Sequence, residues 1–141
     1  MKRQLNEFGN SLHAIALLAR ANALLMRRFE IGLPGGLGFN DFMILFHLHQ
    51  NPEGKMRRVD LADKLGVTNS GITRLVAPME KLGIVKREES EHDGRVVYVA
   101  LASGGKRLFL EALESANYNS ERLIPTSKAK ACQDIVAEIR V

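Results

Sequence analysis

The chain has a single cysteine, Cys132, among its 141 residues, and this scarcity excludes several kinds of protein. One cysteine cannot form a disulfide within the chain, so nothing indicates a secreted fold stabilised by disulfides. It also argues against a structural zinc site, which usually needs several cysteines. We interpret Cys132 as a small buried residue of the last helix, with a redox-active thiol as the alternative.

Long apolar runs are missing as well. The most apolar stretch, residues 15–26, contains Arg20 and Asn22 and is too short and too polar to cross a bilayer. The N-terminal residues lack the apolar core and small-residue cleavage site of a secretory signal. We therefore expect a soluble cytoplasmic protein with no membrane partner.

Motifs for catalysis, metal binding and phosphate binding are absent too. There is no Ser/His/Asp order, no G-x-S-x-G sequence and no P-loop. His47 and His49 are two residues apart on a predicted helix, so they point in different directions and cannot bind one metal ion together. The glycines of residues 35–38 are not followed by Lys and Ser or Thr, so we interpret them as a turn. The sequence predicts no enzyme, no metal site and no cofactor.

Positive charge is concentrated in the middle of the chain. The formal net charge is +4, from 20 Lys and Arg against 16 Asp and Glu. Residues 55–107 hold 11 of these basic residues and 7 of the acidic ones, whereas the remainder holds 9 of each. A basic excess alone is weak evidence for nucleic-acid binding, but its confinement to one segment makes that segment the candidate region.

The length predicts a single domain, residues 1–141, and a hydrophobic content of 45% is enough for a core. Apolar residues at three- and four-residue steps predict a long first helix at about residues 3–31. Leucines outside this stripe widen its apolar surface, so the helix must be covered on several sides. It lies either in a large core or against a second subunit, and the small size of the chain favours the second subunit. Further helices are predicted from residue 103 onward, with an interruption at Pro125.

The centre of the chain predicts two closely spaced helices followed by a hairpin. Helices are predicted at about residues 40–50, 59–65 and 68–82. Gly66 lies in the turn between the second and third of them, and Gly83 ends the third. Strands are predicted at residues 84–88 and 96–101, and Asp93-Gly94 is a typical hairpin turn pair. This order is that of a winged helix-turn-helix at about residues 40–101, whose second helix enters the major groove of DNA. We expect an α+β, mostly helical fold.

The helix predicted at residues 68–82 has the composition of a recognition helix. Its first two turns carry short or forked polar groups that can contact base edges and phosphates. These candidate DNA-binding residues are Thr68, Asn69, Ser70, Thr73 and Arg74. Alone, these residues are better explained as an ordinary solvated helix start, but the complete motif order favours DNA contact. The apolar side that anchors the helix consists of Ile72, Leu75, Val76, Met79 and Leu82, and a kink is expected at Pro78.

Charged residues near the motif leave two interpretations open. Four basic residues suit a phosphate contact and a solvated charge equally well: Arg57, Arg58, Lys86 and Arg87. Three acidic residues of the hairpin would repel DNA: Glu88, Glu89 and Glu91. We therefore expect only the tip of the hairpin to approach the duplex.

Residues 61–107 resemble the core of the MarR family of transcription regulators. The matching pieces are Leu61-Ala62 with Leu65-Gly66-Val67, Ser70 with Thr73-Arg74-Leu75, the segment 79–85, and Asp93-Gly94-Arg95, which fits the D-x-R pattern of the family. The long first helix and the helical C-terminus also fit, so the resemblance covers nearly the whole chain. It implies a homodimer held by the terminal helices, at about residues 3–31 and 103–141, with two wings that flank the operator. We expect this homodimer to repress or activate genes by binding a pseudo-palindromic operator in double-stranded DNA, and we favour a ligand-responsive repressor.

The resemblance also implies roles for individual residues. The arginine of the D-x-R pattern inserts into the minor groove, which assigns Arg95 to DNA and Asp93 to support of the wing. Many relatives release DNA when a small aromatic or anionic effector binds between the dimer and DNA-binding regions. The candidate lining residues here are His13, Arg20, Met43 and His47, with a packed core and solvated edges as the alternative for each.

Two departures from the family pattern affect helix starts. Ala102 stands where the family often has Thr, and Ser103 is expected to cap the following helix instead. Gly38 stands where a Ser or Thr cap is usual, so a mobile junction is expected there. An alternative function also stays open, in which a ligand- or redox-sensing winged helix contacts protein rather than DNA.

Overall fold

The computed structural model describes residues 9–140, which form six α-helices and three β-strands. The helices are α1 (Asn10–Phe29), α2 (Phe39–Gln50), α3 (Arg58–Leu65), α4 (Asn69–Lys81), α5 (Ser103–Leu123) and α6 (Thr126–Ala137). The strands are β1 (Lys55–Arg57), β2 (Val85–Glu89) and β3 (Val97–Leu101). The predicted α+β, mostly helical fold with a winged helix-turn-helix is confirmed. Among these residues, no helix has both the length and the hydropathy that crossing a lipid bilayer requires.

The chain forms two compact units. The central unit spans residues 32–117, and the terminal unit combines the described residues up to Ile31 with those from Tyr118 onward. Helix α5 is continuous and contributes to both units. The predicted division into dimerisation segments at about 3–31 and 103–141 stays a prediction, and residues 3–8 of the first segment lie outside the described residues.

An antiparallel sheet of three strands lies in the central unit. The strand order is β1–β3–β2, and Val99 of β3 pairs with Met56 on one side and with Arg87 on the other. Strand β1 was not predicted, because three residues without a β-branched side chain give no recognisable alternation. Its pairing with β3 joins the start of α3 to the base of the hairpin.

The core of the central unit is formed by α2, α3, α4, the sheet and the part of α5 that belongs to this unit. Its side chains at 0% exposure are Ile44, Leu45, Leu48, Leu61, Ile72 and Ala112. Ile44 is turned by about 100° around α2 from the adjacent Leu45, which is buried as well. Its burial shows that α2 is covered on more than one side, which fixes α3 and α4 against a rigid support.

Helix α4 begins and ends close to its predicted limits. Thr68 caps it, and the helix continues through Pro78 to Lys81, so the proline does not end it. The predicted anchoring side is confirmed for Ile72, Val76 and Met79, which are buried. Leu82, however, is 73% exposed, because it is the C-cap residue at which the chain leaves the helix. Gly83 then adopts a φ of +71°, the left-handed conformation that glycine accepts most readily.

The two unusual helix starts are resolved differently from the sequence expectation. At α2, the amide of Gly38 donates to Oδ2 of Asp41 at 2.9 Å, so a carboxylate within the first turn holds the junction. At α5, the amide of Lys106 donates to the carbonyl of Ala102 at 3.0 Å, and Ser103 is already the first helical residue. Ala102 therefore occupies the capping position that was expected for Ser103.

His47 of α2 gives the central unit a predicted pH dependence. Burial lowers the pKa of His47 below its ordinary value of 6.5, and the positive charge of Lys64 on α3 lowers it further. Below pH 6.5 the unfolded chain therefore binds more protons than the folded chain. We expect the full contribution of His47 to the free energy of unfolding above pH 6.5, and its progressive loss as the pH falls towards the folded-state pKa.

Urea unfolding at a series of pH values between 7 and 4 tests this expectation. His47→Gln should flatten the curve of unfolding free energy against pH just below pH 6.5. The exposed His92, changed to Gln in the same way, is the control and should leave that slope as it is. An unaltered slope in His47→Gln would show that another group is responsible.

Candidate nucleic-acid interface

The first two turns of α4 present the predicted DNA-binding residues to solvent. Helical periodicity turns the buried residues of α4 towards the core and leaves the polar positions on the opposite side. The side chains on that exposed side are Thr68, Asn69, Ser70, Thr73 and Arg74. The structure thus brings all five predicted residues together on one exposed surface of the central unit.

Two hydroxyls of this surface are held by contacts within the chain. Oγ1 of Thr68 accepts a hydrogen bond from the amide of Gly71 at 3.0 Å, which is an N-cap contact. Oγ1 of Thr73 donates to the carbonyl of Asn69 at 3.0 Å and accepts from Nη1 of Arg58 at 3.2 Å. These contacts fix the orientation of both hydroxyls before any ligand binds.

Arg74 presents an exposed guanidinium on the same surface. Within residues 9–140, its side chain has no ion-pair or hydrogen-bond partner. A guanidinium offers five N–H donors in a planar fork, which matches the O6 and N7 acceptors of guanine or two phosphate oxygens. The arrangement therefore suits a bidentate contact with DNA.

The hairpin tip is ordered by hydrogen bonds around two polar side chains. Oγ of Ser90 accepts from the amides of His92 and Asp93, at 3.2 and 3.4 Å. Oδ1 of Asp93 accepts from the amide of Arg95 at 3.0 Å, and the carbonyl of Asp93 accepts from the amide of Val96 at 3.0 Å. Asp93 therefore fixes the backbone that carries Arg95, whose own side chain is exposed.

Most of the basic residues near the motif are paired with carboxylates. Arg57 donates two hydrogen bonds to Asp60, at 2.9 and 3.2 Å. Hydrogen bonding between the two side chains is the main reason that the pKa of Asp60 lies below its ordinary value of 3.8 and that the pKa of Arg57 is raised. Further pairs are Arg87 with Glu80 at 3.8 Å, and Lys86 and Lys55 with Glu88 at 3.5 and 3.4 Å. Glu88 thus lies between two ammonium groups, which offset its repulsion of DNA.

Arg58 is the exception among the four basic residues for which the sequence favoured neither a phosphate contact nor a solvated charge. It contacts a neutral hydroxyl, that of Thr73, and has no carboxylate partner in the described part of the chain. Sequence patterns could not reveal this contact, because the two residues are 15 positions apart and belong to no common motif.

The residues proposed for effector binding lie in separate units. His13 and Arg20 are exposed on α1 of the terminal unit, whereas Met43 and His47 are half-buried on α2 of the central unit. Their assignment to an effector pocket stays a prediction. Within residues 9–140, no three His, Cys, Asp or Glu side chains are grouped to hold a metal ion.

The interpretation of Cys132 as a buried residue is wrong for the single chain. Its thiol is exposed on α6, a helix without any buried residue in the single chain. The apolar residues of α6 indicated a packed helix, but their pattern does not specify whether the same chain provides the packing surface.

Comparison with known proteins agrees with this architecture. The sequence pattern of the MarR family matches residues 35–96. The HTH-type transcriptional regulator YfiV of Bacillus subtilis is 36% identical over 72 residues, which cover 51% of this chain and 45% of YfiV. The HTH-type transcriptional regulator FarR of Neisseria gonorrhoeae is 30% identical over 128 residues, which cover 89% of this chain and 86% of FarR. The chain thus spans less than half the length of YfiV but most of FarR.

A solved structure shows the same fold. Sco3205, a MarR family transcriptional regulator from Streptomyces coelicolor crystallised in complex with DNA, superposes with a TM-score of 0.78 at 20% identity. The superposition covers 92% of this chain and 86% of that protein. The matches confirm the resemblance of residues 61–107, and the chain belongs to the MarR family of transcriptional regulators.

Proposed function

We propose that this chain is a sequence-specific DNA-binding regulator of transcription, a ligand-responsive repressor that acts as a homodimer on a pseudo-palindromic operator. The observation that carries the proposal is the exposed polar side of α4, where Arg74 has no partner in the described chain, on the same unit as a hairpin with an exposed Arg95. The DNA complex of the relative Sco3205 supports it. We propose double-stranded DNA as the partner, the cytoplasm as the location, and no catalytic activity, membrane partner or cofactor.

Exposed apolar side chains support the homodimer. On α1 they are Leu12, Ile15, Leu17, Leu18 and Leu24, which are 41–63% exposed. On α6 they are Ile135 and Val136, at 58% and 63%. Apolar surface of this extent is unfavourable in water, and a second copy of the chain would cover it. Two-fold symmetry would then place the two recognition helices about 34 Å apart, one turn of the duplex.

The test is a footprint on DNA selected by the purified protein from random fragments. We expect two protected half-sites whose centres are one helical turn apart, and an affinity that falls steeply with salt. Light scattering of the same sample should show a dimer at micromolar concentration. A persistent monomer, or binding without sequence preference, would contradict the proposal and favour protein contact as the role of the winged helix.

Arg95→Ala is expected to weaken operator binding about 30-fold at 0.15 M salt, because a homodimer would lose two contacts with the duplex. The slope of log affinity against log salt should become shallower by about 1.8. Titration of labelled operator at several salt concentrations measures both. Arg87→Ala is the matched control. It removes a positive charge from the same hairpin, but Glu80 already offsets that charge. If the two variants behave alike, the tip does not reach DNA.

The candidate effector residues remain part of the proposal. They are His13, Arg20, Met43 and His47. The repressor activity and the response to a small aromatic or anionic ligand are carried over from the family resemblance, and no contact within either unit adds to them.

A further inference from the structure

A basic groove lies between the start of α4 and the hairpin. It has a volume of about 200 Å³, and its lining includes Arg57, Arg58, Asn69, Arg95 and Val97. None of its lining residues is acidic. The groove therefore brings three arginine residues together at the junction of the two elements that are proposed to contact DNA.

The three guanidinium groups differ in what already surrounds them. Arg57 donates two hydrogen bonds to Asp60, so its charge is offset. Arg95 is exposed at the hairpin tip. Arg58 is half-buried and donates only to the neutral hydroxyl of Thr73, with no carboxylate partner among residues 9–140.

A guanidinium without a carboxylate partner keeps its donors available for an anion, and a hydrogen bond between two charged groups is stronger than one to a neutral hydroxyl. Arg58 has five N–H donors, and its contact with Thr73 leaves the others for a ligand with several oxygen acceptors. A phosphate matches this geometry and charge. The position of the groove also suits the DNA backbone. If α4 lies in the major groove and the hairpin in the adjacent minor groove, the backbone that separates the two grooves must run between α4 and the hairpin.

We propose that the groove binds one backbone phosphate of the operator in each half-site, and that the guanidinium of Arg58 donates hydrogen bonds to this phosphate. The same guanidinium holds the hydroxyl of Thr73, which is in turn bonded to the carbonyl of Asn69. Arg58 thus connects the backbone phosphate to the first turns of the recognition helix and sets their position along the groove. This inference rests on the proposed function and adds to it a phosphate ligand that sequence patterns did not distinguish from Arg57.

The first test compares Arg58→Ala with Arg57→Ala, which differ by one position and remove the same group. Arg58→Ala is expected to weaken binding about 30-fold at 0.15 M salt and to reduce the salt slope by about 1.8 for a homodimer. The loss should be similar on operator and on unrelated DNA, because a phosphate carries no sequence information. Arg57→Ala should change the slope by less than half as much. Equal slopes for wild type and Arg58→Ala, or a larger effect of Arg57→Ala, would overturn the inference.

The second test locates the phosphate. Operators with one uncharged methylphosphonate at successive backbone positions are titrated with wild type, Arg58→Ala and Arg58→Lys. We expect one position in each half-site at which the wild type and Arg58→Lys lose affinity but Arg58→Ala does not, because its contact is already gone. Losses that add at every position would overturn the assignment. Unfolding curves of the three proteins ensure that folded protein is compared.

The last comparison separates the duplex backbone from a free anion of the same chemistry. Operator affinity of the wild type should be equal in phosphate and chloride buffers of matched ionic strength. A loss confined to phosphate buffer and abolished by Arg58→Ala would assign the groove to a free anion. Wild type that binds no operator would remove the proposed function itself, whereas normal operator binding by Arg58→Ala would remove this inference alone.

Discussion

Gly105→Ala is expected to lower the free energy of unfolding by about 3 kcal/mol or more. A Cβ on Gly105 would lie 2.0 Å from the carbonyl oxygen of Ile84 and 3.0 Å from its carbonyl carbon. These are backbone atoms, so they cannot move aside as the end of a flexible side chain can. The same oxygen accepts a hydrogen bond from the amide of Ala102 at 3.1 Å, so any shift would also disturb the passage from β3 to α5. Urea unfolding measures the change.

Gly104→Ala is the matched control on the same helix. Its Cβ would lie 3.1 Å from the carbonyl oxygen of Gly83, a tight contact but one that a small shift relieves. Alanine also favours the helix by about 1 kcal/mol relative to glycine, which offsets the strain. We expect a net change within about 1 kcal/mol. Equal destabilisation by the two substitutions would contradict the close approach of α5 to Ile84.

Arg74→Ala is expected to weaken specific binding by about 1–3 kcal/mol for each half-site. The physical reason is the loss of an exposed guanidinium that has no partner in the described chain and is therefore free for a bidentate contact. Because the side chain is exposed and makes no hydrogen bond or ion pair within residues 9–140, the free energy of unfolding should stay nearly the same. Titration against operator and scrambled DNA of equal length separates specific binding from charge attraction.

Two further variants show what kind of contact Arg74 makes. Arg74→Lys keeps the charge but lacks the planar fork, so it should recover binding to scrambled DNA and not the preference for operator. Lys81→Ala removes a charge from the other end of α4 and should leave the preference intact. Equal affinity of Arg74→Ala and wild type for the operator would exclude Arg74 from the interface.

The recognition helix and the hairpin could be predicted because their signals are local. Thr68 marks the start of α4, Gly83 marks its end, and Asp93-Gly94 marks the turn of the hairpin. Each signal depends on the conformational preference of one or two residues, so a single sequence is enough to recognise it.

The features that were missed depend on contacts between distant segments. Strand β1 exists because it pairs with β3, not because its three residues favour a strand. The contact of Arg58 with Thr73 requires α3 and α4 to pack at one particular angle. The exposure of Cys132 depends on which surface covers α6, which the hydrophobic pattern of one helix does not specify. Sequence patterns therefore gave the candidate residues, while the packing distinguished Arg58 from Arg57.

The hydrogen bonds of Thr73 restrict the bases that this side chain could recognise in the proposed DNA complex. Its only proton is directed to the carbonyl of Asn69, and one of its lone pairs accepts from Arg58. The hydroxyl can therefore only accept a further hydrogen bond, and in the major groove only the amino groups of adenine and cytosine donate one. At the base that would face this hydroxyl in the proposed complex, the operator should consequently favour adenine or cytosine, which present an amino group, over guanine or thymine.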